Sequence, residues 1–339
     1  MKRKTTIYIG LLLVMLVAFF AYWLLLSSNT LLNNKTKFVY IPTGCSDTGF
    51  KRIVLDSNVL KGTNTFFALA GKMGLWGHVK AGRYAIKPGM GNYALVKMFR
   101  SGQQEPVKVV INKLRTAGSF FQKLNNALEA DSAALASAFT NKAYLQGLEL
   151  TLEQMPAVIV PATYEVWWNA QPNEVAKKFS DAYQVFWNTS RRQAATTMGL
   201  SIPEVVTIAS IVEEETNQND EKEDVASVYL NRWRKGMKLD ADPTVKFAVG
   251  DFSLRRILNI HTQFPSPYNT YLVAGIPPGP ICTPSPSSID AVLANKQTNY
   301  LFFCAREDFN GHHNFAATYD QHLANARKYQ QALNQRGIH

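Results

Sequence analysis

The sequence predicts an α+β fold behind a single N-terminal transmembrane helix. Ile7 to Leu26 is a run of twenty residues without a charge, long enough to cross a hydrocarbon core as a helix. Beyond it, helical patterns are mixed with short strand-like stretches, which read as α+β. The 339 residues leave room for roughly one to three domains and a sizeable core.

The net charge of +11 is spread along the chain. A diffuse positive balance suits an anionic surface such as lipid headgroups, an acidic cell-wall polymer or nucleic acid. The chain carries no nucleic-acid motif, which sets that partner aside. Cys45, Cys282 and Cys304 lack metal-type spacing, and an odd count argues against a disulfide framework, with Cys282–Cys304 the one pair left open.

Lys2, Arg3 and Lys4 precede the apolar run. They assign residues 1–6 to a cytoplasmic tail, 7–26 to the span and the rest to the outer side. The run is long for a signal peptide, and SSNTLLNN lacks a small-residue cleavage site, so an uncleaved anchor is expected. Residues 27–37 read as a polar linker. Residues 38–105 read as a small α+β module: a strand at Phe38–Ile41, a helix at Phe66–Gly74, a strand at Ala81–Ile86 and a helix at Tyr93–Phe99.

Residues 106–339 read as a larger mixed α+β domain. A strand at Val107–Ile111 leads to two Ala-rich helices over Thr116 to about Leu148. Val158 to Trp168 is strand and turn, and Asn173 to about Gly199 one long helix. In that helix Phe179, Tyr183, Phe186 and Trp187 make a stripe that reads as core. Ser201 to Thr216 follows, with Ser201 and Glu204 forming a capping box and Pro203 in the first turn. Val205, Val206, Ile208, Ala209, Ile211 and Val212 cover more than one face, so this helix is buried.

It ends in Glu213, Glu214 and Glu215. At about 100° per residue, Glu213 and Glu215 point to opposite sides and cannot act as one pair. A carboxylate there is paired, or neutral and poised to give up a proton; helix geometry lets either residue be the special one. The bland alternative is a solvated helix end, although acids sit poorly against the negative end of the helix dipole. Next come a helix at Asp220–Lys235 stopped by Gly236, and a short helix capped by Asp242 with Pro243 at its first position. The Pro- and Gly-rich stretch Ser266–Thr283 reads as a stiffened surface loop of the kind that carries function. Strands at Tyr300–Ala305 and Asn314–Ala317 form a hairpin, and Thr318 with Gln321 opens a C-terminal helix to about Arg336.

Three motifs in order carry a resemblance: ASIVEEET at 209–216, DVASVYLNRWRKGMKLDADPTV at 224–245 and SPYNTYLVAGIPPGPI at 266–281. With Tyr300–Phe303 and the Gly311–Phe315 stretch, they resemble the endolytic peptidoglycan lytic transglycosylases, the YceG-like family. The 38–105 module resembles a LysM-like carbohydrate-binding unit, the alternative being a packing domain with no ligand site. The resemblance implies cleavage of the MurNAc–GlcNAc β-1,4 bond in nascent glycan strands, with the muramic C6 hydroxyl attacking its own C1 to leave a 1,6-anhydro end. It assigns the acid/base to Glu213. Such a group must be neutral near pH 7, so its pKa must be raised by an apolar site. An internal nucleophile removes the need for a second carboxylate. Glu215, Asp242 and Thr244 are expected in supporting roles. Tyr268, Asn269, Thr270 and Tyr271 are expected to bind sugar, unless they serve only to tie down their own loop. Glu214 stands where relatives often have Lys, and is expected to face solvent. Peptidoglycan strands and a membrane are the implied partners, with cell-wall synthases of the elongation machinery as a further expectation. No cofactor and no metal is implied.

Three rivals are weaker. A membrane-anchored peptidoglycan-binding scaffold would need no intact S-I-V-E motif. A pyridoxal-phosphate lyase would need a Schiff-base lysine and a phosphate cup. A zinc hydrolase using His261, His312, His313 and His322 would need ligand spacing that the chain lacks.

Overall fold

The computed structural model describes residues 2–254 and 256–337; Met1 of the predicted tail lies outside the described residues. The chain forms two compact units: one runs to Val109 and takes in Ala127–Asp131 and Glu165–Gln171, and the other holds the remainder.

In the first unit, α1 (Lys2–Leu26) contains the apolar run as a single helix. Ile7–Leu26 is long and apolar enough to cross a membrane, with mean hydropathy 2.7. Residues 27–37 are more than a linker. The Asn29 amide donates to Met90 O at 2.9 Å, its side chain donates to Gly62 O and Asn92 Oδ1, and Ser28 and Thr30 bridge to Gly91 and Leu60. β1 (Lys37–Ile41) is followed by α2 (Asp47–Ser57), α3 (Thr63–Lys72), β2 (Gly82–Ile86) and α4 (Asn92–Ser101). The sequence reading missed α2, although its Ser46 caps Gly49 N in the ordinary way. β1 and β2 pair antiparallel, Lys37 opposite Ile86 and Ile41 opposite Gly82. The helices pack on this ribbon around Phe50, Phe66, Tyr84 and Phe99, edge-to-face at 5.0 Å for Phe50–Phe99 and 4.9 Å for Tyr84–Phe99.

β3 (Val107–Val110) leads to α5 (Ala117–Ala127), α6 (Ser132–Thr140) and α7 (Lys142–Gly147), three helices where two were expected. A 3-10 turn at Met155–Val158 precedes β4 (Thr163–Val166), which pairs with β3. The expected long helix is two, α8 (Pro172–Phe186) and α9 (Thr189–Met198). The break has a local cause: Asn188 takes an extended conformation and its side chain accepts from Arg191 N at 3.0 Å, starting a new helix. Phe179, Tyr183 and Trp187 are buried as core, with Phe120, Phe139 and Phe179 mutually edge-to-face.

α10 (Ile202–Glu215) lies against α11 (Lys222–Arg234), α12 (Asp242–Val249) and α14 (Pro286–Leu293), with α13 (Asn259–Thr262) beyond α12. β5 (Phe302–Ala305) and β6 (His313–Ala316) form the expected antiparallel hairpin, Phe303 opposite Phe315. α15 (Tyr319–Gln335) begins at a complete capping box from Thr318 to Gln321. Cys45, Cys282 and Cys304 are all free.

The stretch expected as a surface loop is irregular, but it passes through the interior: Asn269, Thr270, Ile281, Cys282 and Thr283 are buried. Gly279 is where it comes closest to its neighbours. A Cβ there would sit 2.0 Å from Glu153 O. Gly279→Ala must therefore displace backbone rather than a flexible side-chain end, and is expected to cost about 1–3 kcal/mol. Urea denaturation of the variant beside the parent checks this as a lowered midpoint.

Candidate functional site

The site is organised by α10. Ser201 and Glu204 close the predicted capping box, with Ser201 N donating to Glu204 Oε2 at 2.7 Å. Nine of the ten residues from Pro203 to Val212 are buried, all but Glu204, so the helix is held on every side and its last turn is delivered rigidly. At Thr216 the backbone turns extended. The Thr216 hydroxyl donates to Glu221 Oε1 at 2.6 Å, and Glu221 also accepts from His313 Nδ1 at 2.8 Å and His313 N at 2.9 Å. This buried carboxylate joins the end of α10 to β6, and these hydrogen bonds outweigh burial to hold its pKa below the usual carboxylate value.

The three acids leave α10 in three directions, and each meets a different environment. Glu215 enters a cavity of about 320 Å³ whose lining includes Tyr229, Arg232, Asp242, Tyr271 and His322. Its Oε1 accepts from the Tyr229 hydroxyl at 2.8 Å. Burial raises its pKa to about 7; the negative charge of Asp242 pushes the same way, and the Tyr229 hydrogen bond opposes. Asp242 Oδ1 accepts from the Tyr271 hydroxyl at 2.7 Å. Arg232 Nε and His322 Nδ1 are buried and without a partner among the described residues, and both residues line this cavity.

Glu213 lies elsewhere, on a separate cleft of about 390 Å³ walled by residues 110–113 and 161–163 together with Ser285. Its Oε2 accepts from Ser285 Oγ and Ser288 Oγ, each at 2.5 Å, and from the Lys222 ammonium at 3.2 Å. Lys222 is itself buried and also donates to Ser285 Oγ and Ser287 Oγ. Burial pushes the Glu213 pKa up, but the two serines and Lys222 together outweigh it and hold it below its ordinary 4.5. The expectation of a raised pKa at Glu213 is therefore corrected: its surroundings are polar and cationic rather than apolar.

Glu214 is corrected too. Its side chain is only 12% exposed, because Arg115 grips it through two nitrogens at 3.0 and 2.9 Å and Lys113 approaches to 3.4 Å. Asp242 is the first residue of α12 rather than its cap, which is Ala241; its side chain is thus free to line the Glu215 cavity. Thr244 and Thr270 hydrogen-bond to each other at 2.8 Å, and Thr270 Oγ1 also accepts from Ala241 N. Asn269 donates to Thr262 O and Phe264 O. Thr244 and Thr270 tie the loop to α12, and Asn269 ties it to the end of α13, all three with their hydrogen-bonding capacity turned inward. Tyr268 packs on Phe247 at 4.7 Å beside a separate, mainly apolar cavity. Of the residues expected around one site, the structure brings Glu215, Asp242 and Tyr271 together.

Sequence reasoning missed Tyr229, Lys222, Ser285 and Ser288. Tyr229 is buried, and its hydroxyl is turned to Glu215, a contact that helical periodicity does not reveal. Ser285 and Ser288 went unread because α14 was not recognised. The signal was present: Ser285 followed by Pro286 is an N-cap and first helical position.

A family model described as YceG-like matches residues 39–328. The endolytic murein transglycosylase of Bacillus subtilis is 37% identical over 137 residues, 40% of this chain and 37% of that protein. That of Streptococcus pneumoniae is 26% identical over 263 residues, 67% of this chain and 46% of that protein. The matched stretches thus span less than half the length of these curated relatives. The crystal structure of a YceG-like protein of Listeria monocytogenes aligns with a TM-score of 0.56 and 25% identity, over 86% of this chain and 99% of that one. With the family model matching most of its length, this chain belongs to the YceG-like family.

Proposed function

We propose that this protein is a membrane-anchored endolytic lytic transglycosylase, and that Glu215 is its acid/base. The observation that carries the assignment is the Glu215 carboxyl, with a pKa raised to about 7 in a cavity it shares with Asp242 and Tyr271. The motif resemblance favoured Glu213. The chemistry asks for a carboxylic acid that keeps its proton near neutral pH, which the raised pKa of Glu215 supports; Glu213, whose pKa Ser285, Ser288 and Lys222 lower in the free chain, is the alternative that the motif resemblance favours.

The steps follow from one group used twice. Protonated Glu215 gives its proton to the glycosidic oxygen as the bond from muramic C1 to that oxygen breaks. The C6 hydroxyl oxygen of the same sugar bonds to C1, and its proton passes to the Glu215 carboxylate. No water is consumed and the enzyme returns to its starting state. The Tyr229 hydroxyl orients Glu215 throughout, and stabilises the carboxylate form in mid-cycle. Ionised Asp242, held by Tyr271, favours the protonated resting form of Glu215 and stabilises positive charge developing on the sugar ring.

The relatives' name, endolytic murein transglycosylase, supports the glycan substrate. The apolar run Ile7–Leu26 of α1, preceded by Lys2, Arg3 and Lys4, supports an anchor with the rest of the chain outside the cytoplasm. The strand-helix-helix-strand order of residues 37–86 supports a LysM-like glycan-binding module. A synthase producing nascent strands is the partner class that such a substrate implies.

The test is to incubate the full chain in detergent with purified peptidoglycan and identify the new ends by mass spectrometry. Muramic ends lighter than reducing ends by one water are expected. Reducing ends would mean a hydrolase, and binding without cleavage a scaffold.

A further inference from the structure

Resting on the reading of this protein as glycan-cleaving, we propose that the open groove between the β5–β6 hairpin and α15 is a saccharide subsite, binding N-acetylated sugar units of the strand beyond the bond that is cut. The groove has a volume of about 730 Å³, within the range of small-ligand sites. No charged side chain lines it. Its lining includes the amides of Asn299, Gln321 and Asn325 and the rings of Tyr300 and Phe315, which stack on each other at 5.3 Å and 26°. Neutral amides together with aromatic rings match a neutral sugar, which offers hydroxyl and acetamido groups at its edges and C–H bonds on its face. An anionic polymer or a charged peptide would find no counter-ion there.

The groove is also connected to the Glu215 cavity by a row of rings. Tyr229 and Phe303 line that cavity. Tyr229 meets Phe303 at 6.0 Å, Phe303 meets Phe315 at 6.0 Å, and Phe315 stacks on Tyr300 in the groove. Across the hairpin Phe303 and Phe315 are directly paired, so groove and cavity are set by one rigid two-stranded element. α15 adds a second connection, with His322 at the cavity and Gln321 and Asn325 at the groove. An enzyme cutting within strands needs hold on several sugars at once, and a second binding surface beside the reacting one supplies it.

The probe is a β-1,4-linked N-acetylglucosamine hexasaccharide, titrated calorimetrically into the full-length protein in detergent, with Asn299→Ala/Asn325→Ala and Glu215→Gln alongside. The parent and Glu215→Gln are expected to bind alike. The double variant is expected to bind about tenfold more weakly, the loss that two ordinary hydrogen bonds entail. Ala324→Trp, at an exposed position in the same groove, is expected to weaken binding as much by filling it. On peptidoglycan strands the double variant should raise KM and leave kcat unchanged. Binding by both groove variants as tight as the parent's would overturn the subsite, as would an absence of hexasaccharide binding by the parent. Because Glu215→Gln is read by binding alone, an error in the catalytic assignment would leave this result intact.

Discussion

Glu215→Gln is expected to lower kcat for strand cleavage by about a thousandfold, while the protein stays folded and still binds glycan. A positioned general acid/base contributes on the order of 10²–10⁴ in rate, and this mechanism uses one group for both proton transfers. The glutamine amide can still accept from the Tyr229 hydroxyl, whose hydrogen bond is 2.8 Å, so the loss falls on proton transfer rather than on packing. Glu213→Gln should fall well short of it, by tenfold or less, since its partners Ser285, Ser288 and Lys222 lie outside the cavity that holds Glu215. Steady-state cleavage of a defined glycan strand by the two variants makes the comparison.

The second large effect is on stability. Lys222→Ala removes the ammonium from a pair whose side chains are 6% and 14% exposed. The cost of stripping one partner from a buried pair is about 3–5 kcal/mol, because the remaining charge stays desolvated. Ser285 and Ser288 remain to solvate Glu213, which places the expected loss at the lower end, about 3 kcal/mol. The pH dependence follows from the lowered pKa of Glu213. A carboxylate whose folded pKa lies below its unfolded value adds stability above the unfolded value, and loses it as pH falls through the folded one. In Lys222→Ala the deficit should therefore be full near pH 7 and shrink in acid as pH falls below the ordinary carboxylate value of 4.5 and Glu213 takes up a proton. Denaturant melts across that range read it directly. A deficit independent of pH would mean that Lys222 acts through packing.

What could be read from the sequence divides by the range of the interactions involved. α10 and α15 were placed to within a residue or two, since their capping boxes are local patterns of four residues. The opposite bearings of Glu213 and Glu215 follow from helical rotation alone, and the two carboxyls do meet different groups: Ser285, Ser288 and Lys222 for Glu213, Tyr229 for Glu215. The identity of those partners was out of reach. Ser285 is 72 residues from Glu213, and Arg115 is 99 from Glu214. Helix geometry gives direction without environment, and a pKa is set by environment. The long helix predicted over 173–199 failed for a subtler reason: Asn188 competes for a backbone amide, and hydrophobic periodicity does not register caps. In the proline-rich stretch, composition indicated irregular backbone correctly, but burial of Asn269 and Thr270 depends on the hydrogen bonds they make to α12 and to their own loop.

The account turns on whether a carboxyl with a pKa near 7, hydrogen-bonded by Tyr229, drives the reaction. The pH profile of kcat/KM reports groups of the free enzyme, and measuring it for the parent, Tyr229→Phe and Glu213→Gln tests that most directly. The parent should lose activity tenfold per unit as pH rises beyond about 7. Tyr229→Phe deletes a hydrogen bond that favours the ionised form, so its inflection should move to higher pH. Glu213→Gln should leave the inflection in place. An inflection that ignores Tyr229→Phe, or disappears in Glu213→Gln, would contradict the assignment and return the proton to Glu213.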